Sequence, residues 1–369
     1  MKKTKLYIAL FAIIGFMGCA KDGIDSDTSF LSTSKTSNTS KIFDITNDNS
    51  GIVKITPLGE GASSFVVKFG HGTGTAASQT VTPGNSASHA YPEGSYTVTI
   101  DSKSLAGEVS SASYPLQLTY RAPENIVPTI NATAHTVKVK ATALYATGGF
   151  MVYFGDVPNE TGTPLAAGAE VSHTYAAAGS YDIKVVALSG GAAKAEVITP
   201  TIIYDPFGLP ITFESPYIKY FFGTFGGGQG FATVANPNAT GLNTSAKVGK
   251  FTRGWEWWSG TYSPLNVPLD MSAGKKIKVL VYNPDPALVG KKLNVELESG
   301  SSLSNGVAVL KVPLTTSGAW EELVFDFGTI AAIPSTEKFN QLVLRFNDAA
   351  DGAAGIGQVI YVDNFRQTN

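Results

Sequence analysis

Ser88-His89-Ala90-Tyr91-Pro92-Glu93-Gly94-Ser95-Tyr96-Thr97-Val98-Thr99-Ile100 has a counterpart in Ser172-His173-Thr174-Tyr175-Ala176-Ala177-Ala178-Gly179-Ser180-Tyr181-Asp182-Ile183-Lys184-Val185. Upstream of each copy lies a second matching piece, Val67-Lys68-Phe69-Gly70 and Val152-Tyr153-Phe154-Gly155. Phe69 to Phe154 and Tyr96 to Tyr181 are 85 positions apart, and His89 to His173 is 84. So long a period means tandem domains rather than a solenoid of small repeats. Each copy ends in Gly-Ser-Tyr followed by strict alternation, Thr-Val-Thr-Ile or Asp-Ile-Lys-Val, which is the period of a strand with one buried face.

Working outward, the 369 residues are 43% hydrophobic and 15% charged, enough to bury a core in each of about three domains. Gly (39) and Pro (19) separate short runs rich in Val, Ile, Tyr and Phe, so the fold class expected is all-β. A net charge of −2 supplies no positive field for phosphate backbones, so nucleic acid is not an expected partner. Strand-rich units of this length suggest two tandem immunoglobulin-like sandwiches, residues 41–122 and 123–205. With Phe69-Gly70-His71-Gly72 or Phe154-Gly155-Asp156-Val157 ahead of His-x-Tyr and Gly-Ser-Tyr, both resemble the polycystic-kidney-disease (PKD) type of sandwich. The first copy departs from that type's Phe-Gly-Asp-Gly turn at His71 and the second at Val157. The resemblance implies a spacer role. The histidines are His71, His89, His135 and His173; the repeat puts His89 and His173 in separate domains, so structural hydrogen bonding is expected of them rather than metal ligation.

The N-terminus reads as an address. Lys2, Lys3 and Lys5 precede the apolar run Leu6 to Phe16, the pattern of a secretory signal over residues 1–18. Phe16-Met17-Gly18-Cys19 resembles a lipobox, with Phe16 in place of the usual Leu, and Cys19 is the single cysteine, which excludes an internal disulfide. Lipidation of Cys19 is therefore expected. Ala20-Lys21-Asp22-Gly23-Ile24-Asp25-Ser26-Asp27 resembles the acidic export signal of Bacteroidetes surface lipoproteins, and residues 19–40 are polar enough for a flexible tether. The implied localisation is the cell-surface face of the outer membrane, held by the lipid anchor alone.

From about Pro210 the composition changes. All four tryptophans (Trp255, Trp257, Trp258 and Trp320) fall in the last third, beside an aromatic stretch Tyr217 to Phe225 that includes Tyr220. Flat rings cover the apolar C–H faces of sugars at low entropic cost, while polar side chains read hydroxyls. The candidate binding residues are accordingly Arg253, Trp255, Glu256, Trp257, Trp258, Tyr262 and Tyr220. If Arg253 to Trp258 is a strand, Arg253, Trp255 and Trp257 share one face, and Glu256 and Trp258 share the other. Trp320, in an alternating run, is expected in the core.

Residues 206–369 resemble a β-jelly-roll carbohydrate-binding module found beside glycanases of marine Bacteroidetes. The matching residues include Thr212-Phe213-Glu214, Gly226-Gly227-Gly228, Gly241 to Val248, Trp258-Ser259-Gly260, Leu293 to Glu298, Trp320 to Phe327 and Tyr361 to Phe365. Trp258-Ser259-Gly260 stands where that family has Trp-Ala-Gly, which gives Trp258 a shared role, with packing as one reading, and makes Trp255 and Trp257 additions. The resemblance implies a structural Ca²⁺ held by Glu214 and Asp363, an oxygen site suited to a hard cation. A hydrogen-bonded acidic pair without metal is the alternative. It also implies a polysaccharide partner, β-glucan of the laminarin type being favoured, and a neighbouring outer-membrane glycan transporter of a polysaccharide-utilisation system.

No catalytic cofactor and no catalysis are expected. Glycosidases need two carboxylates about 5–10 Å apart on a cleft floor, whereas Glu321, Glu322 and Asp326 lie in a segment that reads as a core strand. No Gly-x-Ser-x-Gly elbow or His-Glu-x-x-His helix occurs. The competing functions are a structural or protein-binding surface scaffold and, further off, a glycanase accessory subunit. Taken alone, the sequence leaves open which of the three clustered tryptophans stacks on sugar; if Trp257 does, Trp257→Ala lowers glycan affinity by about an order of magnitude or more. Affinity electrophoresis with a glycan panel measures this.

Overall fold

In the computed structural model, residues 28–227, 230–299 and 307–369 are described. Cys19, the signal segment, most of the expected tether and Gly228 lie outside them. A short helix at Ser29–Thr33 precedes the first strand.

The first sandwich is built from β1 (Ser37–Ile45), β2 (Ile52–Glu60), β3 (Ala62–Lys68), β4 (Ser78–Val81), β5 (Ala87–Ala90), β6 (Gly94–Ser104) and β7 (Val109–Leu118). Strand β1 begins inside the stretch expected to be tether. Its Ser37 pairs with Glu60 and its Ser40 with Leu58, so ladder pairing overrides the polar composition that argued for disorder. The second sandwich uses β8 (Glu124–Thr133), β9 (Thr136–Leu144), β10 (Phe150–Tyr153), β11 (Thr163–Leu165), β12 (Val171–Thr174), β13 (Gly179–Leu188) and β14 (Lys194–Ile203). Sheet orders β1-β2-β5 and β4-β3-β6-β7 recur strand for strand as β8-β9-β12 and β11-β10-β13-β14. Each sandwich closes on its own core, Val53 to Leu118 in one and Val137 to Ile203 in the other.

The repeated motif is one packed cluster in each copy. The Tyr91 hydroxyl donates to the Phe69 carbonyl at 3.0 Å, and Tyr175 to Phe154 at 2.9 Å. His89 and His173 stack on Phe69 and Phe154, each with ring centroids 4.3 Å apart. Their Nε2 atoms pair with different neighbours, His71 Nδ1 at 2.9 Å and Asp156 at 2.8 Å. Both histidines therefore have the hydrogen-bonding role expected of them. Burial lowers the His89 pKa, and the neighbouring His71 lowers it further. Gly70 and Gly155 have φ of 69° and 78°. A Cβ there would sit 2.2 Å from the Thr97 carbonyl and 2.7 Å from that of Asp182, which explains why both copies keep glycine after phenylalanine.

The sandwiches are tied at their junction. Asn49, in left-handed backbone (φ 62°), donates through Nδ2 to the carbonyls of Arg121 and Tyr145 and accepts from the Arg121 N–H, all at 2.9 Å. Glu93 accepts from Tyr120 N at 2.9 Å and from Ala192 N, across the junction, at 2.6 Å.

The C-terminal domain packs two five-stranded antiparallel sheets face to face. Its strands are β15 (Gly223–Phe225), β16 (Gly230–Ala235), β17 (Lys247–Thr252), β18 (Gly260–Asp270), β19 (Lys276–Tyr282), β20 (Lys292–Glu298), β21 (Val309–Pro313), β22 (Trp320–Asp326), β23 (Lys338–Phe346) and β24 (Val359–Thr368). One sheet runs β15-β18-β23-β20-β21 and the other β16-β17-β24-β19-β22. Between them lies the largest described core, from Phe207 to Phe365. Trp320 is buried as expected, in a satellite cluster with Val248 and Leu280, and its indole N–H donates to the Asn238 carbonyl at 2.7 Å. The chain is thus all-β, two like sandwiches followed by a jelly-roll-type sandwich.

Burial pushes the Tyr91 phenol up to about 12 and the Tyr175 phenol upward as well, so both hydroxyls serve as neutral donors. Tyr91→Phe and Tyr175→Phe each leave a buried carbonyl without its partner and are expected to cost about 1–2 kcal/mol. Urea denaturation measures it, and a loss under about 0.3 kcal/mol at either site would deny the hydroxyl its role in the motif.

Candidate functional site

The outward face of the β15-β18-β23-β20-β21 sheet holds a groove of about 530 Å³, lined by Phe225, Trp258, Tyr262, Glu296, Glu298, Gln341, Val343 and Arg345. Strand periodicity assembles it. Tyr262 pairs with Val343 and Val343 with Glu296, while Gln341 pairs with Glu298, so these residues form cross-strand rows on one face. Their neighbours Leu342, Leu344, Val295 and Leu297 point the other way into the core.

One side of the groove is aromatic. Phe225 and Trp258 lie with ring planes within 6° of parallel and centroids 6.1 Å apart, and Phe221 meets Tyr262 edge-on at 5.9 Å. Gly260 makes room for this arrangement, since a Cβ there would lie 2.4 Å from the Leu344 carbonyl and 2.7 Å from the Phe225 ring. The other side is polar. Arg345 Nη2 contacts Glu296 at 2.8 Å, and Gln341 Nε2 donates to Glu298.

Arg253 to Ser259 is a loop, not a strand, and this breaks the two-face assignment. Arg253 is fully buried. Its guanidinium donates to the carbonyls of Gly254 (2.6 Å), Trp255 (3.1 Å), Phe346 (3.3 Å), Asn347 (3.5 Å) and Ala350, so it is not an open sugar contact. Burial lowers its pKa, with Asp351 and Asp348 opposing. Trp255, Trp257 and Trp258 are 49%, 51% and 42% exposed, and only Trp258 lines the groove. The Trp255 ring lies against the turn at Gly352, and Glu256 is half-buried and outside the groove lining. Tyr220 belongs to the packing: its ring contacts Phe207 and Phe213 at 5.9 and 5.3 Å, and it lies outside the groove. Of the expected binding residues, the fold thus brings Trp258 and Tyr262 together in the groove and sends Arg253 and Tyr220 inward.

Glu296, Glu298, Gln341, Val343, Arg345 and Phe225 were not singled out from the sequence. Period-two alternation in Lys292–Glu298 and Lys338–Phe346 carries the signal for five of them. Only pairing over long sequence separations brings them together. Glu321, weighed for catalysis, is buried and accepts from Thr315 and Thr316, while Glu322 pairs with Lys278 at 2.9 Å and with Arg366.

Glu214 and Asp363 meet at the 243–247 segment. Asp363 accepts from Asn243 Nδ2 (2.9 Å), the Ser245 hydroxyl and Asn364 N (2.7 Å), and Glu214 accepts from Lys247 N at 2.7 Å. Burial raises the Asp363 pKa despite these bonds, and the Glu214 charge raises it further. The Asp363 carboxylate, with the Asn243 amide oxygen and the Ser245 hydroxyl beside it and the Glu214 charge acting on it, is an all-oxygen donor set of the kind a hard cation takes. Among the described residues, no three His, Cys, Asp or Glu side chains cluster as a metal site.

No protein-family model matches the chain, and no curated protein matches it. Several solved structures are similar at low identity. One comes under the description "structural basis for the promiscuous specificity of the carbohydrate-binding modules from the beta-sandwich super family". It is 13% identical, covering 68% of this chain and 99% of that one, with a TM-score of 0.30. The family 11 carbohydrate-binding module of cellulase Lic26A-Cel5E of Clostridium thermocellum is 12% identical over 44% of this chain and 95% of its own (TM-score 0.29). The K1 cleaved adhesin domain of Lys-gingipain from Porphyromonas gingivalis W83 is 15% identical over 43% and 96% (TM-score 0.29). At these scores the fold rests on the strand order itself.

Proposed function

We propose that this chain is a lipid-anchored surface protein that captures a neutral polysaccharide in the groove of its C-terminal domain, with the two preceding sandwiches as a spacer. One observation carries this reading: an open groove with Phe225, Trp258 and Tyr262 on one side and paired hydrogen-bonding groups on the other. Aromatic faces take the apolar side of a pyranose while carboxylate, amide and guanidinium groups take its hydroxyls. Glu296 is ion-paired with Arg345 and Glu298 accepts from Gln341, so both carboxylates are engaged with side chains of the neighbouring strand rather than set apart as an acid and a base. The reading is therefore binding without catalysis. The jelly-roll resemblance makes a laminarin-type β-glucan the first ligand to test. The lipobox-like Cys19 and the acidic stretch after it support an outer-membrane surface position beside a glycan transporter.

Calorimetry of the full chain against a glycan panel tests the groove. Trp258→Ala is expected to weaken binding about tenfold or more, roughly 1.4 kcal/mol, and Trp257→Ala less, which moves the weight from Trp257 to Trp258. Affinity should persist in about 1 M salt, where the Debye length is about 3 Å, because the ligand is neutral and no ion pair forms across the interface. Wild-type affinity in Trp258→Ala would relocate the site, and no heat with any glycan would favour the scaffold.

The same proposal puts a structural Ca²⁺ at Glu214 and Asp363, where it would offset the burial of the Asp363 charge and the repulsion from Glu214. Ca²⁺ is expected to raise Tm, EDTA to lower it, and Asp363→Asn to abolish both responses. A Tm indifferent to both reagents would leave the pair as a hydrogen-bonded latch only.

A further inference from the structure

Trp258 stands on a loop with no regular structure between Thr252 and Gly260, yet the loop is held on every side. Towards β15, Trp255 N donates to Gly227 O at 2.7 Å and Glu256 N to Gly226 O at 3.1 Å. Towards the 347–357 turn, Gly352 N donates to Trp255 O at 2.8 Å and Gly357 N to Arg253 O at 2.9 Å. Beneath both loops lies the Arg253 guanidinium, which binds carbonyls of the Trp loop (Gly254, Trp255) and of the facing turn (Phe346, Asn347, Ala350). No carboxylate forms an ion pair with it among the described residues, so these carbonyl dipoles are what solvate the buried cation. Only a planar fork of donors can reach acceptors so spread out. The site is cut closely to that fork, because a Cβ on Gly355 would fall 2.2 Å from Nη1.

We propose that Arg253 is a positioning residue for the groove: by drawing the carbonyls of both loops onto one guanidinium it fixes the orientation of Trp258 before ligand arrives. This rests on the groove being the glycan site. Ordering the loop in advance removes an entropy cost from binding, so loosening it weakens affinity without removing any contact surface.

The test compares Arg253→Met, Arg253→Lys and Gly355→Ala with wild type by hydrogen exchange, acrylamide quenching of indole fluorescence, and calorimetry with the glycan that wild type binds. Gly355→Ala keeps the charge and displaces the guanidinium, and it decides the matter if Arg253→Met does not fold. All three variants are expected to exchange faster at 253–259 and 346–355 only, to show more accessible indoles, and to bind about tenfold more weakly. Lysine is expected not to rescue, since one ammonium cannot span both loops. Wild-type affinity in Gly355→Ala, rescue by lysine, or faster exchange spread through both sheets would each overturn the proposal. If wild type binds no glycan, the function proposed above fails instead, and exchange and quenching still decide whether the guanidinium holds the two loops.

Discussion

Two five-stranded sheets closing over one core constrain the C-terminal domain most. Side chains alternate along each strand, so every Leu, Val or Phe committed to the interior commits its neighbours to the outside. On the β15-β18-β23-β20-β21 sheet the outward set is Tyr262, Val343, Glu296, Gln341, Glu298 and Arg345. The groove is the reverse side of the core, and a register slip of one residue would exchange them.

What the sheets cannot supply, the loops add, and the loops are held by buried charges of opposite sign. The 243–247 segment is drawn to the buried Asp363 carboxylate through the Asn243 amide and the Ser245 hydroxyl. The Trp loop is drawn to the Arg253 guanidinium through carbonyls. In each case a charge removed from water finds its solvation in the polar groups of an irregular segment, and the segment gains a single conformation in return.

Much of this fold is legible in the chain. The recurrence of Phe-Gly, His-x-Tyr and Gly-Ser-Tyr reflects a stacked and hydrogen-bonded cluster that needs each of those residue types, so the pattern survives wherever the cluster does. The tryptophan-rich stretch announces an exposed aromatic rim. The role of Arg253 does not read through, because a charged residue between Thr252 and Gly254 looks the same whether it faces water or a cage of carbonyls. Gln341, Val343 and Arg345 stay hidden for another reason: their partners Glu298, Glu296 and Gly260 are far away in sequence. Tyr220 misleads because stacking on protein rings and stacking on a sugar ask for the same side chain.

The amide of Asn49, lodged among the backbone groups of Arg121 and Tyr145, bears on mechanics at a larger scale. A freely jointed pair of modules would sweep a volume and find its targets by diffusion of the tip. Pinned by that one side chain and by Glu93, the pair is joined at fixed points, and its reach is set by the length of the sandwiches rather than by coil statistics.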